Sequence, residues 1–132
     1  LNDKQLIKIF EKFKEHVAFV GHTHDIKKYS YDQKEISKRY LLKRKIIIDK
    51  NKKHIINVGS VGQPRDGDEN AKYVIFDDND FSLETRFVKY NIKKTADLIL
   101  KKGFSEFNAS RLFARSKYTS RLKPRPRDKP PA

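Results

Sequence analysis

Residues 17 to 24 read VAFVGHTH, a short apolar run that ends in a glycine and two histidines. Four consecutive apolar residues are typical of a buried strand, and Gly21 permits a sharp exit from it without a Cβ penalty. If the chain stays extended there, His22 and His24 point to one side and can serve adjacent metal ions. Open α/β sheets also bind ligands at this end of a strand. Taken alone, so short a pattern favours two exposed loop histidines, because it recurs by chance.

A second element follows at residues 57 to 67, which read NVGSVGQPRDG. It is typical of a strand end followed by a loop. Glycines at positions 59, 62 and 67 allow the backbone to approach a ligand or to adopt a positive φ. The alternative is a turn that needs these glycines for its backbone conformation and binds no ligand.

The flanking sequence predicts an α/β fold whose later strands are mostly antiparallel. Near the amino end, apolar residues recur at helical spacing after a capping residue, Asn2 or Asp3. These apolar residues are Leu6, Ile9, Phe10 and Phe13. The further predicted elements are strands at 39–49, 54–58, 72–76 and 81–88, a helix at 91–102 and a short helix after Ser105. A turn at 49–52 is expected to join the first two of these strands.

Composition limits the kinds of site and partner. The 132 residues suit one compact domain, and the absence of cysteine leaves only nitrogen and oxygen ligands for a metal. No apolar run is long enough to cross a bilayer, so we expect a soluble, cytoplasmic protein without a membrane partner. The net charge of +14 raises the alternative of a nucleic-acid partner. Because the lysines are scattered in pairs, a lysine-rich surface without such a partner is favoured.

The last residues differ in composition from the rest. Residues 116 to 132 contain four of the five prolines, interleaved with arginine and lysine, and almost no apolar side chains. We therefore expect residues 1–115 to form the domain and residues 116–132 to be a basic, Pro/Arg-rich disordered tail.

Together and in this order, the two motifs resemble the calcineurin-like metallophosphoesterase superfamily. The resemblance is closest to its small bacterial and archaeal phosphodiesterase, diadenosine-tetraphosphatase-like branch. Those proteins have Gly-His-x-His after a buried strand and then an Asn-Pro-Gly-Ser-Val-Gly-Gln-Pro-Arg-like loop. This chain has Val58 where proline is usual. The resemblance covers about residues 1 to 113 and implies the carboxy-terminal half of a sandwich of two β-sheets flanked by helices.

The resemblance also implies a two-metal site and a phosphate-ester or nucleotide substrate. By carry-over, His22 would hold the second metal and His24 the first. The two divalent ions would be manganese, iron, zinc, nickel or cobalt. The loop that contains Gly59, Ser60 and Gly62 would border the catalytic cleft, and Arg65 would contact a substrate phosphate. A structural salt bridge is an equally good account of Arg65.

The earlier motifs of the family, which supply the bridging aspartate and the remaining ligands, do not occur before His22. We therefore expect a fragment that is inactive alone and assign no catalytic residue to it. We expect it either to aggregate in isolation or to pair with the missing amino-terminal half, encoded separately. The face that carries Leu6, Phe10, Val17 and Phe19 would then be exposed. His54 is expected to be structural or exposed.

Two alternatives remain open at this stage. One is a basic nucleic-acid-binding module, for which Tyr29, Tyr31 and Tyr40 could stack bases, although burial in a strand explains Tyr40 equally well. The other is a non-catalytic remnant of the enzyme.

Overall fold

The computed structural model describes residues 2–113, so the predicted tail at 116–132 lies outside the described residues. Three helices and seven strands follow one another along this part of the chain. They are α1 Asp3–Phe10, β1 Val17–Val20, β2 Ile26–Tyr31, β3 Ile36–Tyr40, β4 Lys45–Ile47, β5 Lys53–Val58, β6 Ala71–Asp77, β7 Ser82–Val88, α2 Ile92–Lys101 and α3 Glu106–Ser110.

The strands form two sheets, which confirms the predicted α/β class. Sheet A has the order β1-β5-β2-β3, and sheet B has the order β4-β7-β6. Only β1 and β5 run parallel among the described strands; every other neighbouring pair is antiparallel. The strands predicted at 72–76 and 81–88 are confirmed as the antiparallel pair β6–β7.

The main core lies between the two sheets. Ile26 and Ile56 of sheet A and Leu83 of sheet B are almost fully buried there. Phe19 of β1 also reaches sheet B, where its ring centroid lies 5.7 Å from that of Phe76. Because side chains alternate along a strand, the next residue, Val20, projects from the opposite, outer face of sheet A.

Helix α1 covers part of that outer face. The Asn2 side chain accepts a hydrogen bond from the Gln5 amide, and Gln5 returns one to Asn2, which makes a capping box. Leu6 and Phe10 are buried, and the Phe10 ring stacks on Tyr31 at 5.4 Å. The expectation that Leu6 and Phe10 would be exposed is therefore wrong, because the β2–β3 hairpin packs against them.

The strand predicted at 39–49 is in fact two strands in different sheets. β3 ends at Tyr40, and β4 begins at Lys45 and pairs with β7. Consequently β4 and β5 do not form the predicted hairpin; β5 pairs with β1 and with β2 instead. β2 itself was not predicted.

The two carboxy-terminal helices pack on each other. The helix predicted at 91–102 is confirmed as α2: Asn91 caps it by accepting from the Lys94 amide, and Gly103, at a φ of +81°, follows its end. Ser105 precedes α3 but its side chain makes no capping bond. Ala96 of α2 is buried against Ala109 and Leu112. In the described part of the chain, no helix is long and apolar enough to span a bilayer.

Candidate metal and phosphate site

The two sequence motifs meet at one edge of sheet A. β1 and β5 are parallel neighbours, so their carboxyl ends lie side by side. The histidine turn, residues 21–24, follows β1, and the glycine loop, residues 59–70, follows β5. This is the position at which open α/β sheets bind ligands.

The histidine turn is not extended, and here the sequence expectation is wrong. The His24 amide donates to the Gly21 carbonyl at 3.3 Å, and His24 has a φ of +59°. This contact closes a turn, so the side-by-side geometry of alternate strand residues does not apply to His22 and His24. His22 is exposed, whereas His24 is half-buried.

The glycine loop holds the ring of His24. Nδ1 of His24 lies 3.0 Å from the carbonyl oxygen of Gln63. A carbonyl only accepts, so Nδ1 carries the proton in this contact, and in the neutral ring the lone pair is on Nε2. Metal-binding histidines are commonly oriented in this way, with one ring nitrogen donating to a carbonyl and the other facing the metal. Sequence reasoning missed this contact, because a backbone carbonyl has no signature in the sequence.

Asn57 joins the two motifs a second time. Its side chain is buried at 3% exposure, donates to the Thr23 hydroxyl at 2.6 Å and accepts from the Gly59 amide at 3.2 Å. The amide therefore uses both its donor and its acceptor to hold the turn against the loop. The signal for this role was present in the sequence, as an asparagine at the last buried position of a strand.

The first glycine of the loop lies where there is little room for a side chain. Gly59 has a φ of +78°, and a Cβ at this position would lie 3.2 Å from the Cβ atoms of both Ile26 and Lys72. Left-handed backbone and close approach both require glycine here. Further along the loop, a Cβ on Gly62 would lie 3.3 Å from Leu112, so the residues just after α3 pack closely against the loop.

The loop is wrapped around one buried ammonium group. Nζ of Lys72, whose side chain is 1% exposed, lies 2.9 Å from the Asp66 carboxylate and 2.6 Å from the Asp68 carbonyl. The Lys72 amide also donates to the Ser60 carbonyl at 2.9 Å. Sequence reasoning treated Lys72 only as a strand residue. The signal that could have marked it is a lysine opening an apolar strand just after two aspartates.

Arg65 lies on the outside of the loop. It is exposed, and no ion pair joins it to a carboxylate within residues 2–113. The structural salt bridge that was the alternative explanation for Arg65 is therefore not formed in this part of the chain. The Arg65 guanidinium is therefore available to bind an anion from solvent.

His54 has a structural role. It is 1% exposed, and Nε2 lies 2.8 Å from the Asp49 carbonyl while Nδ1 lies 2.8 Å from the Ser30 hydroxyl. Nε2 must donate to the carbonyl, so Nδ1 accepts from Ser30, whose oxygen in turn accepts from Lys28. Burial lowers the pKa of His54 and favours this neutral form.

The two histidines of the turn cannot form a complete metal site with their neighbours. Within residues 2–113, no three His, Asp or Glu side chains are grouped so that they could hold one metal ion. The orientation of His24 fits a metal ligand, and a metal ion held by it would need further ligands from outside this group of residues.

Comparison with known proteins agrees with this fold. No protein-family model matches the chain. An uncharacterised protein of Methanocaldococcus jannaschii is 44% identical over 97 residues, which cover 74% of this chain and 38% of that protein. The crystal structure of a metallophosphoesterase from Sphaerobacter thermophilus matches 85% of this chain and 48% of its own, with a TM-score of 0.72 and 29% identity.

The chain therefore spans less than half the length of each of these two proteins. Its two sheets and helices correspond to a portion of the Sphaerobacter metallophosphoesterase. The two chains are similar in sequence, at 29% identity, as well as in structure. The chain has a metallophosphoesterase-like fold, and these similarities support its placement in the metallophosphoesterase superfamily.

Proposed function

We propose that this chain forms the carboxy-terminal part of a two-metal phosphoesterase that hydrolyses phosphodiester or phosphomonoester bonds. His24 and His22 each ligate one of two divalent cations. The observation that carries the proposal is the His24–Gln63 contact, which orients a half-buried imidazole at the end of a parallel strand and, in the neutral ring, assigns the proton to Nδ1 and the lone pair to Nε2.

In this proposal the histidines bind the metal ions and Arg65 binds the substrate. The two imidazoles supply neutral nitrogen ligands, and manganese, iron, zinc, nickel or cobalt all accept such ligands. Arg65 binds a phosphate oxygen of the substrate, because its planar donor fork suits phosphate and no carboxylate of residues 2–113 neutralises it. A bound pair of cations supplies polarisation of the phosphoryl group and a nucleophilic water at neutral pH.

The missing ligands come from the part of the enzyme that this chain does not cover. β1 is an edge strand of sheet A, hydrogen-bonded to β5 on one side. Phe19 and Val20 of this strand are 46% and 45% exposed. An added parallel strand would cover both residues and bring its own carboxyl end beside His22. We propose that the amino-terminal half of the enzyme binds at this edge and provides the carboxylates.

A basic nucleic-acid-binding module receives less support. Lysines on several different elements are neutralised by local carboxylates, which weakens the argument from net charge. These ion pairs include Lys27–Asp25, Lys38–Asp3, Lys45–Asp80, Lys52–Asp32 and Lys93–Asp97.

A chimera tests the proposed activity. Residues 2–113 replace the matching segment of the Methanocaldococcus protein, and hydrolysis of bis-p-nitrophenyl phosphate and p-nitrophenyl phosphate is measured with each divalent metal. We expect metal-dependent turnover that is lost in His24→Ala and kept in His16→Ala, a histidine outside the site. Arg65→Ala should lower kcat/KM without lowering thermal stability. A folded chimera whose turnover is unaffected by His24→Ala would refute the proposal.

A further inference from the structure

The positive charge of the chain is concentrated in two segments. Residues 27–53 contain eleven lysines and arginines against three acidic residues, and residues 114–132 contain seven against one. Residues 1–26 and 54–113 together contain thirteen basic and thirteen acidic residues. A general enrichment in lysine would raise the charge of every segment. The excess charge of the folded part therefore belongs to one stretch, from β2 to the start of β5.

The middle of this stretch is the β3–β4 corner, residues 38–47, where the chain crosses from sheet A to sheet B. Leu41 is buried in the core, and its amide donates to the Ile26 carbonyl of sheet A at 3.1 Å. The Arg44 carbonyl accepts from the Thr85 amide of sheet B at 3.0 Å. The crossing is thus fixed to both sheets, and the side chains between these two contacts are exposed.

The corner is uniformly basic, and part of its charge has no partner. It contains five lysines and arginines and no acidic residue. Two of them, Lys38 and Lys45, form exposed ion pairs with aspartates elsewhere in the chain. No carboxylate among residues 2–113 pairs with the other three, which are Arg39, Lys43 and Arg44. The neutralisation that weakens the argument from net charge therefore does not extend to these three cations.

Three apolar side chains of the corner are exposed beside these cations. They are Tyr40, Leu42 and Ile47, which are 59%, 60% and 66% exposed. Burial in a strand, which the sequence left open as the explanation for Tyr40, therefore does not account for it. Exposed apolar side chains that are grouped in this way are typical of a surface that contacts another molecule or a membrane.

The mixture of unpaired cations and aliphatic side chains favours a lipid surface over a nucleic acid. A nucleic acid binds cations through its phosphates and stacks its bases on aromatic rings, and neither contact uses Leu42 or Ile47. An anionic bilayer uses all of these groups. Its headgroups attract lysine and arginine, while aliphatic and tyrosine side chains enter the boundary beneath the headgroups.

The corner also leaves the β1 edge free. β3 is the edge of sheet A opposite β1, and β4 is an edge strand of sheet B. A surface bound at the corner and an amino-terminal half bound at β1 can therefore be present at the same time.

We propose that the β3–β4 corner binds the protein to an anionic lipid surface. Arg39, Lys43 and Arg44 lie among the headgroup phosphates, and Leu42 and Ile47 enter the boundary beneath them. Such a contact needs no membrane-spanning segment, whose absence from the sequence was the basis for expecting no membrane partner. This inference does not rest on the proposed phosphoesterase activity.

Flotation of the full 132-residue chain with lipid vesicles tests the proposal, because aggregated protein sinks and bound protein floats. The vesicles contain phosphatidylcholine alone or phosphatidylcholine and phosphatidylglycerol in equal amounts. We expect flotation only with the anionic vesicles, and less of it at high salt. Lys43→Glu/Arg44→Glu should weaken binding at least about tenfold. Leu42→Gln, which keeps the charge, should weaken it at least about threefold.

Lys12→Glu/Lys14→Glu is the matched control, with the same change in net charge at exposed positions. These lysines follow α1, whose end lies at the start of β5, because the Lys53 ammonium donates to the Phe10 carbonyl. The corner lies at the other end of sheet A, where Ile26 pairs with the last residue of β5. The control should float like the wild type. All variants keep residues 114–132, so a difference between them arises in the folded part.

Three results would overturn the lipid contact. The first is no flotation with anionic vesicles. The second is equal binding by the corner and control variants, which would place the lipid contact outside the corner. The third is full binding by Leu42→Gln together with weak binding by Lys43→Glu/Arg44→Glu, because a contact through charge alone fits any polyanion, including a nucleic acid. Urea unfolding of each variant confirms that the substitutions leave the fold intact.

Discussion

Nδ1 of His24 lies 3.0 Å from the carbonyl oxygen of Gln63, which is 39 positions further along the chain. This one contact joins the histidine turn after β1 to the glycine loop after β5. Both residues have left-handed backbone, with φ values of +59° and +55°. Such conformations cost about 1–3 kcal/mol each in non-glycine residues and persist only where surrounding contacts hold them. Asn57 and Lys72 provide those contacts.

The buried Lys72–Asp66 ion pair should carry much of the stability of the loop. Lys72→Met leaves the Asp66 carboxylate, 5% exposed, without its cation, and we expect a loss of about 3–5 kcal/mol in the free energy of unfolding. Urea denaturation measures this loss. The exposed pair Lys93–Asp97 is the control, and Lys93→Met should cost no more than about 0.5 kcal/mol. Equal effects of the two substitutions would contradict the role given to Lys72.

Substitutions at two glycines of the loop allow the cost of a left-handed backbone to be measured apart from the cost of steric crowding. Gly59 and Gly67 have φ values of +78° and +83°, but only at Gly59 would a Cβ meet neighbours, at 3.2 Å. Gly67→Ala should therefore cost about 1–2 kcal/mol, the cost of left-handed backbone alone. Gly59→Ala should cost clearly more by thermal or urea denaturation. The close packing described for Gly59 does not hold if the two variants unfold at the same urea concentration.

The buried neutral His54 predicts a pH dependence of stability. Burial lowers its pKa below the ordinary value of 6.5, so the unfolded chain takes up a proton before the folded chain does. Stability is then fully present above 6.5 and falls as the pH drops below it, by up to about 1.4 kcal/mol per pH unit. Urea unfolding between pH 5 and 8 should show this slope in the wild type and not in His54→Gln. If the free energy of unfolding of His54→Gln depends on pH as strongly as that of the wild type, other groups cause the pH dependence and the role given to His54 is wrong.

The isolated chain should show no phosphoesterase turnover. Residues 2–113 contain no group of three side chains that could hold a metal ion, and the exposed Phe19 and Val20 leave the β1 edge open to association. Purified alone, the chain should be inactive on chromogenic phosphate esters and should self-associate in sedimentation experiments. Phe19→Lys should reduce that association. Turnover by the isolated chain that disappears in His24→Ala would show that two histidines suffice.

The fold was predictable where apolar side chains alternate or cluster, as in β1, β7 and α1. β2 was missed because Lys28 and Ser30, at inward positions, are polar and serve the buried His54. A polar network inside a sandwich removes the alternation on which strand prediction depends. The crossing between two sheets within 39–49 was missed because Leu41 and Ile48, on its two sides, are both apolar and are buried in the same core.

The candidate site was predictable only in part. The identity of the two motifs was visible, and the structure brings them together at one sheet edge. The turn conformation of His24 and the carbonyl of Gln63 were not predictable, because both depend on backbone geometry rather than on side-chain type. The metal assignment of His22 and His24, and the roles of Gly59, Ser60, Gly62 and Arg65, stay predictions.

Metal stoichiometry of the chimera tests the central claim most directly. Elemental analysis after equilibration with manganese or zinc should give two metal ions per chain in the unsubstituted chimera. His22→Ala and His24→Ala should each lower the metal content. His16→Ala, outside the site, should keep both ions. Two ions per folded chain in both His22→Ala and His24→Ala would contradict the account, because neither imidazole would then be a ligand.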